Sequence, residues 1–136
     1  MAVKVLIVDD QAAFRSAARE VVVSTVGFEV VGEASTGEES VAAARRLRPD
    51  LVLMDVRLPG VDGLEASYQI RSEHEEITVF LLSTYDEEEF APQIGRSRAT
   101  AFIPKFAFSS DSLLSTWGAV IGRRKFGQIG FQEEET

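Results

Sequence analysis

Three carboxylates, a hydroxyl and an ammonium stand where four short apolar runs end. Val3 to Val8 is followed by Asp9-Asp10, Leu51 to Met54 by Asp55, Ile77 to Leu82 by Ser83-Thr84, and the run closing on Ile103-Pro104 by Lys105. If these runs are parallel strands of one sheet, their carboxyl ends share one edge and the polar groups meet there. Unit charges about 4 Å apart at an effective dielectric of roughly 20 interact by about 4 kcal/mol, so Asp9, Asp10 and Asp55 side by side require a cation. Hard carboxylate oxygens favour Mg²⁺, which takes one or two protein carboxylates and leaves the rest of its shell to water and substrate phosphate. Lys105 can neutralise a further negative charge, and Ser83 can donate a hydrogen bond to a phosphoryl oxygen. The set suits transfer of a phosphoryl group to Asp55, a reaction catalysed mostly by positioning and charge neutralisation.

Each residue also has a plainer reading. An Asp-Asp pair in a turn is commonly a helix cap, and alone that would be the better account of Asp9-Asp10. Asp55 at a second strand end reverses the balance. An isolated lysine is usually a solvated surface group, and Lys105 gains a role only by leaving a strand on the active edge. Ser83 and Thr84 compete for the hydroxyl role, with Ser83 favoured by register. His74 reads as a surface residue at a helix end, Trp117 as packing, and Glu87-Glu88-Glu89 as a solvated first helical turn suited to the helix dipole.

The elements that must position these groups follow from periodicity. Buried strands are expected at Val3–Val8, Phe28–Ala34, Leu51–Met54, Ile77–Leu82 and Thr100–Ile103. Between and after them, helices are expected at Gln11–Thr25, Thr36–Arg48, Gly63–His74, Asp86–Ser97 and Ser109–Ile121. Pro92 and Gly95 interrupt the fourth helix and predict a short, kinked or frayed element. Fivefold alternation with short connections is the signature of a parallel sheet covered on both faces. One domain over residues 1–122 is expected, with 123–136 as an extension or tail.

Val8-Asp9-Asp10, the stretch from Met54-Asp55-Val56-Arg57-Leu58-Pro59 to Gly60-Val61-Asp62-Gly63, Leu82-Ser83 and Pro104-Lys105 together closely resemble a response-regulator receiver domain, over residues 3 to 122. Their spacing is most similar to the subfamily that often carries a helix-turn-helix output domain. The resemblance implies a flavodoxin-like, doubly wound five-stranded sheet of order 2-1-3-4-5 with five helices. It implies phosphorylation of Asp55 by a histidine kinase or phosphotransfer protein. Mg²⁺ is then bound by Asp10, Asp55 and the backbone carbonyl of Arg57, with Asp9 acting through water. Ser83 and Phe102 become the switch pair, Phe102 replacing an aromatic residue that elsewhere can carry a hydroxyl. The implied partners are a downstream protein or output domain and a second copy of the chain. Two departures stand out: Phe106 follows Lys105 where a proline with a cis bond is frequent, and Arg98 and Ala101 occupy a region where glycine is common.

Bulk properties narrow the rest. The 136 residues, 45% hydrophobic and 26% charged, suit one globular domain. No cysteine and a single histidine exclude disulfides, thiolate chemistry and a typical zinc site. A net charge of −8 argues against direct nucleic-acid binding. No signal peptide or membrane-length apolar run is visible, which points to the cytoplasm. A receiver-like module without phosphorylation would lack an acid, the hydroxyl or the lysine, and none is missing. An aspartate-nucleophile phosphatase usually carries Asp-x-Asp after its first strand, whereas the acids here are adjacent. A flavin carrier is disfavoured because an acidic first turn repels the flavin phosphate.

Overall fold

The computed structural model describes residues 2–84 and 87–135, with side chains for 2–84 and 92–124. Strands β1 (Val3–Val8), β2 (Phe28–Ala34), β3 (Leu51–Asp55), β4 (Thr78–Ser83) and β5 (Ala101–Pro104) alternate with five helices. These are α1 (Ala12–Val23), α2 (Gly37–Leu47), α3 (Gly63–Glu73), α4 (Glu87–Arg96) and α5 (Ser110–Glu135). The strands form one parallel sheet of order β2-β1-β3-β4-β5. The winding therefore reverses at β1, and the crevice that reversal opens lies beyond the carboxyl ends of β1 and β3.

Burial explains the apolar runs. Val5 to Val8, Leu51 to Met54 and Val79 to Leu82 are at most 1% exposed, because helices cover both faces of the central strands. Complete burial of such a side chain is worth roughly 1.5–3 kcal/mol. Val5, Ile7, Leu53 and Phe80 pack with Ala18 and Val22 of α1 and Leu113 and Val120 of α5. Leu6, Val8, Met54 and Leu81 pack with Ala44 of α2 and Ile70 of α3 on the other face. Period-two alternation along each strand thus supplies two separate cores from one sheet. Trp117 meets Phe28 and Phe80 edge to face at 6.1 and 6.4 Å, in the packing role expected of it.

Helix ends are set locally. Thr36 and Asp62 cap α2 and α3 by accepting from the N–H groups of Glu39 and Glu65. Ser109 and Ser112 exchange side-chain and backbone hydrogen bonds at the start of α5, which makes Ser109 the cap. At the end of α2, Arg48 adopts φ +47°, so a left-handed residue stops the helix just before Pro49.

Two expectations change. The last helix does not end at Ile121 but continues to Glu135, and Arg124 Nη2 donates to the buried Thr78 Oγ1 at 2.6 Å. His74 is not a surface group: it closes α3 with a side chain only 11% exposed. Arg98 takes the left-handed conformation, φ +61°, in the turn where glycine is common. Its carbonyl accepts from Arg71 Nε at 3.0 Å, so the turn is held from outside rather than by backbone freedom. Pro92 lies inside α4 as expected; the proposed start at Asp86 falls outside the described residues. Among the described residues no helix is long and apolar enough to cross a membrane.

Candidate functional site

Asp9 continues straight from β1, and its N–H donates to the carbonyl of Ala34 at 3.1 Å, so the strand's own hydrogen bonding delivers the first acid to the edge. The side chain is fully buried and both oxygens are engaged: Oδ1 accepts from Gln11 N at 2.8 Å and Oδ2 from Lys105 Nζ at 2.7 Å. Asp10 is exposed beside it. Asp55, the last residue of β3, is 7% exposed, and the N–H of the next residue, Val56, donates to Leu82 of β4 at 3.1 Å. One carboxylate oxygen from each of Asp9, Asp10 and Asp55 lies within 4.8 Å of the other two.

Lys105 leaves β5 into a 3-10 turn, Lys105–Ala107, by way of a trans peptide bond to Phe106. Its ammonium is 3.5 Å from Asp55 Oδ1 as well as bonded to Asp9, and its side chain is 13% exposed. Asp10, Gln11, Asp55, Arg57, Ser83, Thr84 and Lys105 line one cleft of about 240 Å³. Ser83 is 1% exposed at the end of β4, beside Pro104 in register, whereas Thr84 is exposed at the rim. The structure thus brings Asp9, Asp10, Asp55, Arg57, Ser83 and Lys105 together. Phe102 lies apart, partly buried against the core beneath α2 and α3, opposite Leu81 in register.

Burial raises the Asp55 carboxyl above its ordinary value of 3.8 to about 6. The Asp9 charge adds to this; Lys105 and the Arg57 N–H oppose it without cancelling it. A buried acid with a surplus of negative neighbours is short of positive charge, which is what a divalent cation supplies. The donor set fits Mg²⁺: oxygen ligands only, with Asp10 and Asp55 open to the cleft and Asp9 already spent on protein donors.

The loop after Asp55 is shaped by contacts. Gly60 turns with φ +71°, and a Cβ on Gly63 would collide with the carbonyl of Asp55, so α3 starts hard against the acceptor strand. Glu38 Oε1 accepts from Val61 N at 3.2 Å and ties the loop to α2. Sequence reasoning missed four supporting residues, Gln11, Phe14, Arg15 and Glu38. Arg15 Nη1 donates to the Asp9 carbonyl at 2.7 Å, and the Phe14 ring centroid lies 4.3 Å from Lys105 Nζ. Gln11 is detectable only by adjacency to the acid pair, and Phe14 and Arg15 only by standing one helical turn beyond it.

Comparison with known proteins agrees with this geometry. Residues 5–116 match the family described as "Response regulator receiver domain". The chain is 38% identical over 105 residues to the response regulator GacA of Pseudomonas syringae pv. syringae strain B728a, covering 77% of this chain and 49% of that protein. It is 30% identical over 122 residues to the response regulator UvrY of Escherichia coli K12, covering 90% of this chain and 56% of that one. The response regulator domain of Thermotoga maritima CheB superposes with a TM-score of 0.76 at 28% identity, covering 88% of this chain and 97% of that one. The chain spans about half the length of the curated relatives it matches.

Proposed function

The chain belongs to the response regulator receiver domain family of two-component systems, and on that premise we propose that it is a phosphoacceptor switch whose state is carried on Asp55. The observation that carries the reading is the meeting of three carboxylates and an ammonium at the sheet's switch point, with the buried Asp55 carboxyl among them. A pKa of about 6 leaves Asp55 ionised near neutral pH, with enhanced basicity for an attacking oxygen.

In the proposed reaction an Asp55 oxygen attacks phosphorus of a phosphohistidine on a histidine kinase or phosphotransfer protein. The O–P bond forms as the N–P bond breaks, and the departing imidazole takes a proton. Lys105 balances charge on the transferred oxygens, and Ser83 donates to one of them. Asp10, Asp55 and the Arg57 carbonyl would hold Mg²⁺, while Asp9 orients Lys105 and would contribute to the metal only through water. Bound Mg²⁺ supplies charge neutralisation of the phosphoryl oxygens. Hydrolysis of the aspartyl phosphate resets the switch, so the domain promotes its own phosphoryl chemistry without turning over a substrate. Residues 1–122 form the switch, and 123–136, in which α5 runs on to Glu135, lead towards an output domain or downstream partner.

The test is incubation with a small phosphodonor and Mg²⁺, followed by borohydride reduction and mass spectrometric mapping. Label confined to Asp55 is expected. Equal labelling of Asp55→Asn would remove Asp55 from its role.

A further inference from the structure

We propose that Phe14 is a positioning residue for Lys105, its ring face holding the ammonium at the acidic cleft without neutralising it. The inference rests on the phosphoacceptor reading above. Lysine is a mobile point charge on a four-carbon stem, and the adjacent Phe106 is 86% exposed. Three groups fix the ammonium instead, namely Asp9 Oδ2 at 2.7 Å, Asp55 Oδ1 at 3.5 Å and the Phe14 ring centroid at 4.3 Å.

These restraints are not equivalent. A carboxylate that holds the ammonium also cancels its charge, and a further acid beside Asp9, Asp10 and Asp55 would worsen the repulsion at Asp55. An aromatic face attracts a cation through its quadrupole and carries no formal charge. Phe14 can therefore help order Lys105 without cancelling any more of its charge than Asp9 and Asp55 already do. The ring is itself anchored. It packs against the core shared by α1 and α5, and the neighbouring Arg15 is bonded to the Asp9 carbonyl at 2.7 Å and to Glu33 at 3.2 Å. Phe14, Ala18 and Val22 form the apolar stripe of α1, Ala18 and Val22 buried and Phe14 partly so, and the first member of that stripe stands at the reactive edge.

A purely packing role is the competing account, and the experiment separates the two. Prepare Phe14→Leu and Phe14→Met, which keep apolar bulk, and Phe14→Tyr, which keeps the ring face. In the metal-free proteins, the ε-methylene resonances of Lys105 are expected to be displaced upfield by the ring in wild type and Phe14→Tyr, and to return to ordinary lysine values in Phe14→Leu and Phe14→Met. The initial rate of labelling by acetyl phosphate at saturating Mg²⁺ is expected to fall about threefold to thirtyfold in Phe14→Leu and Phe14→Met, with Phe14→Tyr restoring most of it. If Phe14→Leu does not fold, the comparison of Phe14→Met with Phe14→Tyr decides. Unmoved Lys105 resonances, or labelling within twofold of wild type in a folded ring-less variant, would overturn the inference. A wild type that takes no label would overturn the phosphoacceptor reading itself, a result distinct from either.

Discussion

Asp55 sits in the position least comfortable for a charge. Its folded-state pKa of about 6 exceeds the ordinary 3.8 because burial, then Asp9, penalise the ionised form more than Lys105 relieves it. The consequence for stability has a definite sign. Below about pH 4 the carboxyl is neutral in folded and unfolded chains alike, and the group costs nothing. Between the two values the unfolded chain sheds its proton first, so stability falls as pH rises and levels off above about pH 6. In metal-free protein, Asp55→Asn should remove this fall and raise stability at pH 7.5 by about 1–2 kcal/mol, less than two full pH units convert to because water reaches the cleft. Urea melts of both proteins from pH 4 to pH 8, in the presence of chelator, measure it. Parallel curves across that range would show that Asp55 is not a strained acid. Mg²⁺ should reverse the difference, because it binds the ionised site and stabilises the folded chain by mass action.

At the scale of elements, the strands were legible in the sequence because each is a short apolar run ended by a polar group. The site was legible for the same reason, since parallel strands carry Asp9, Asp10, Asp55, Ser83 and Lys105 to one edge however far apart they stand in the chain. Contacts between remote elements leave no such local mark. Nothing in the spacing of Glu38 and Val61 announces the bond that ties the loop to α2, and nothing around His74 announces its burial. Helix ends fall between these cases. Pro49 signalled the stop of α2, but the stop itself is Arg48 at φ +47°, a conformation that costs a side-chain residue about 1 kcal/mol and glycine almost nothing. The Arg48 side chain offsets little of this, its ion pair to Glu76 being 3.7 Å long and exposed at both ends. Arg48→Gly is therefore expected to stabilise the domain by about 0.5–1 kcal/mol without altering phosphoryl acceptance. Thermal melts check the first part and labelling the second; destabilisation would mean that the surface pair outweighs the backbone strain.

Across the whole molecule, the question is how a charge placed on Asp55 could reach a surface. Ser83 and Leu81 alternate onto the same side of β4, and Phe102 stands opposite Leu81 on β5, packed with Ile94 of α4 against the core beneath α2 and α3. One face of two adjacent strands thus runs from the reactive edge to the inner side of α4. A phosphoryl group adds acceptor oxygens that should draw the Ser83 hydroxyl towards them and free space behind it. Phe102 has no hydroxyl to hold it outside, and its partly buried position against this core is the one such a movement would deepen. The phosphoryl group then need only shift an existing equilibrium rather than create a new state. Pro92, inside α4, lowers the cost of adjusting that helix, since its ring removes one backbone hydrogen bond. Beryllofluoride with Mg²⁺ should therefore move the backbone resonances of Phe102 and of residues 92–97 in the wild type, and move them at most half as far in Ser83→Ala at equal occupancy. Thr84, exposed at the rim, supplies the control: Thr84→Ala should leave the distant shifts intact. Equal distant shifts in wild type and Ser83→Ala would mean that the signal leaves Asp55 by another route, most directly through Lys105 and the turn that carries it into α5.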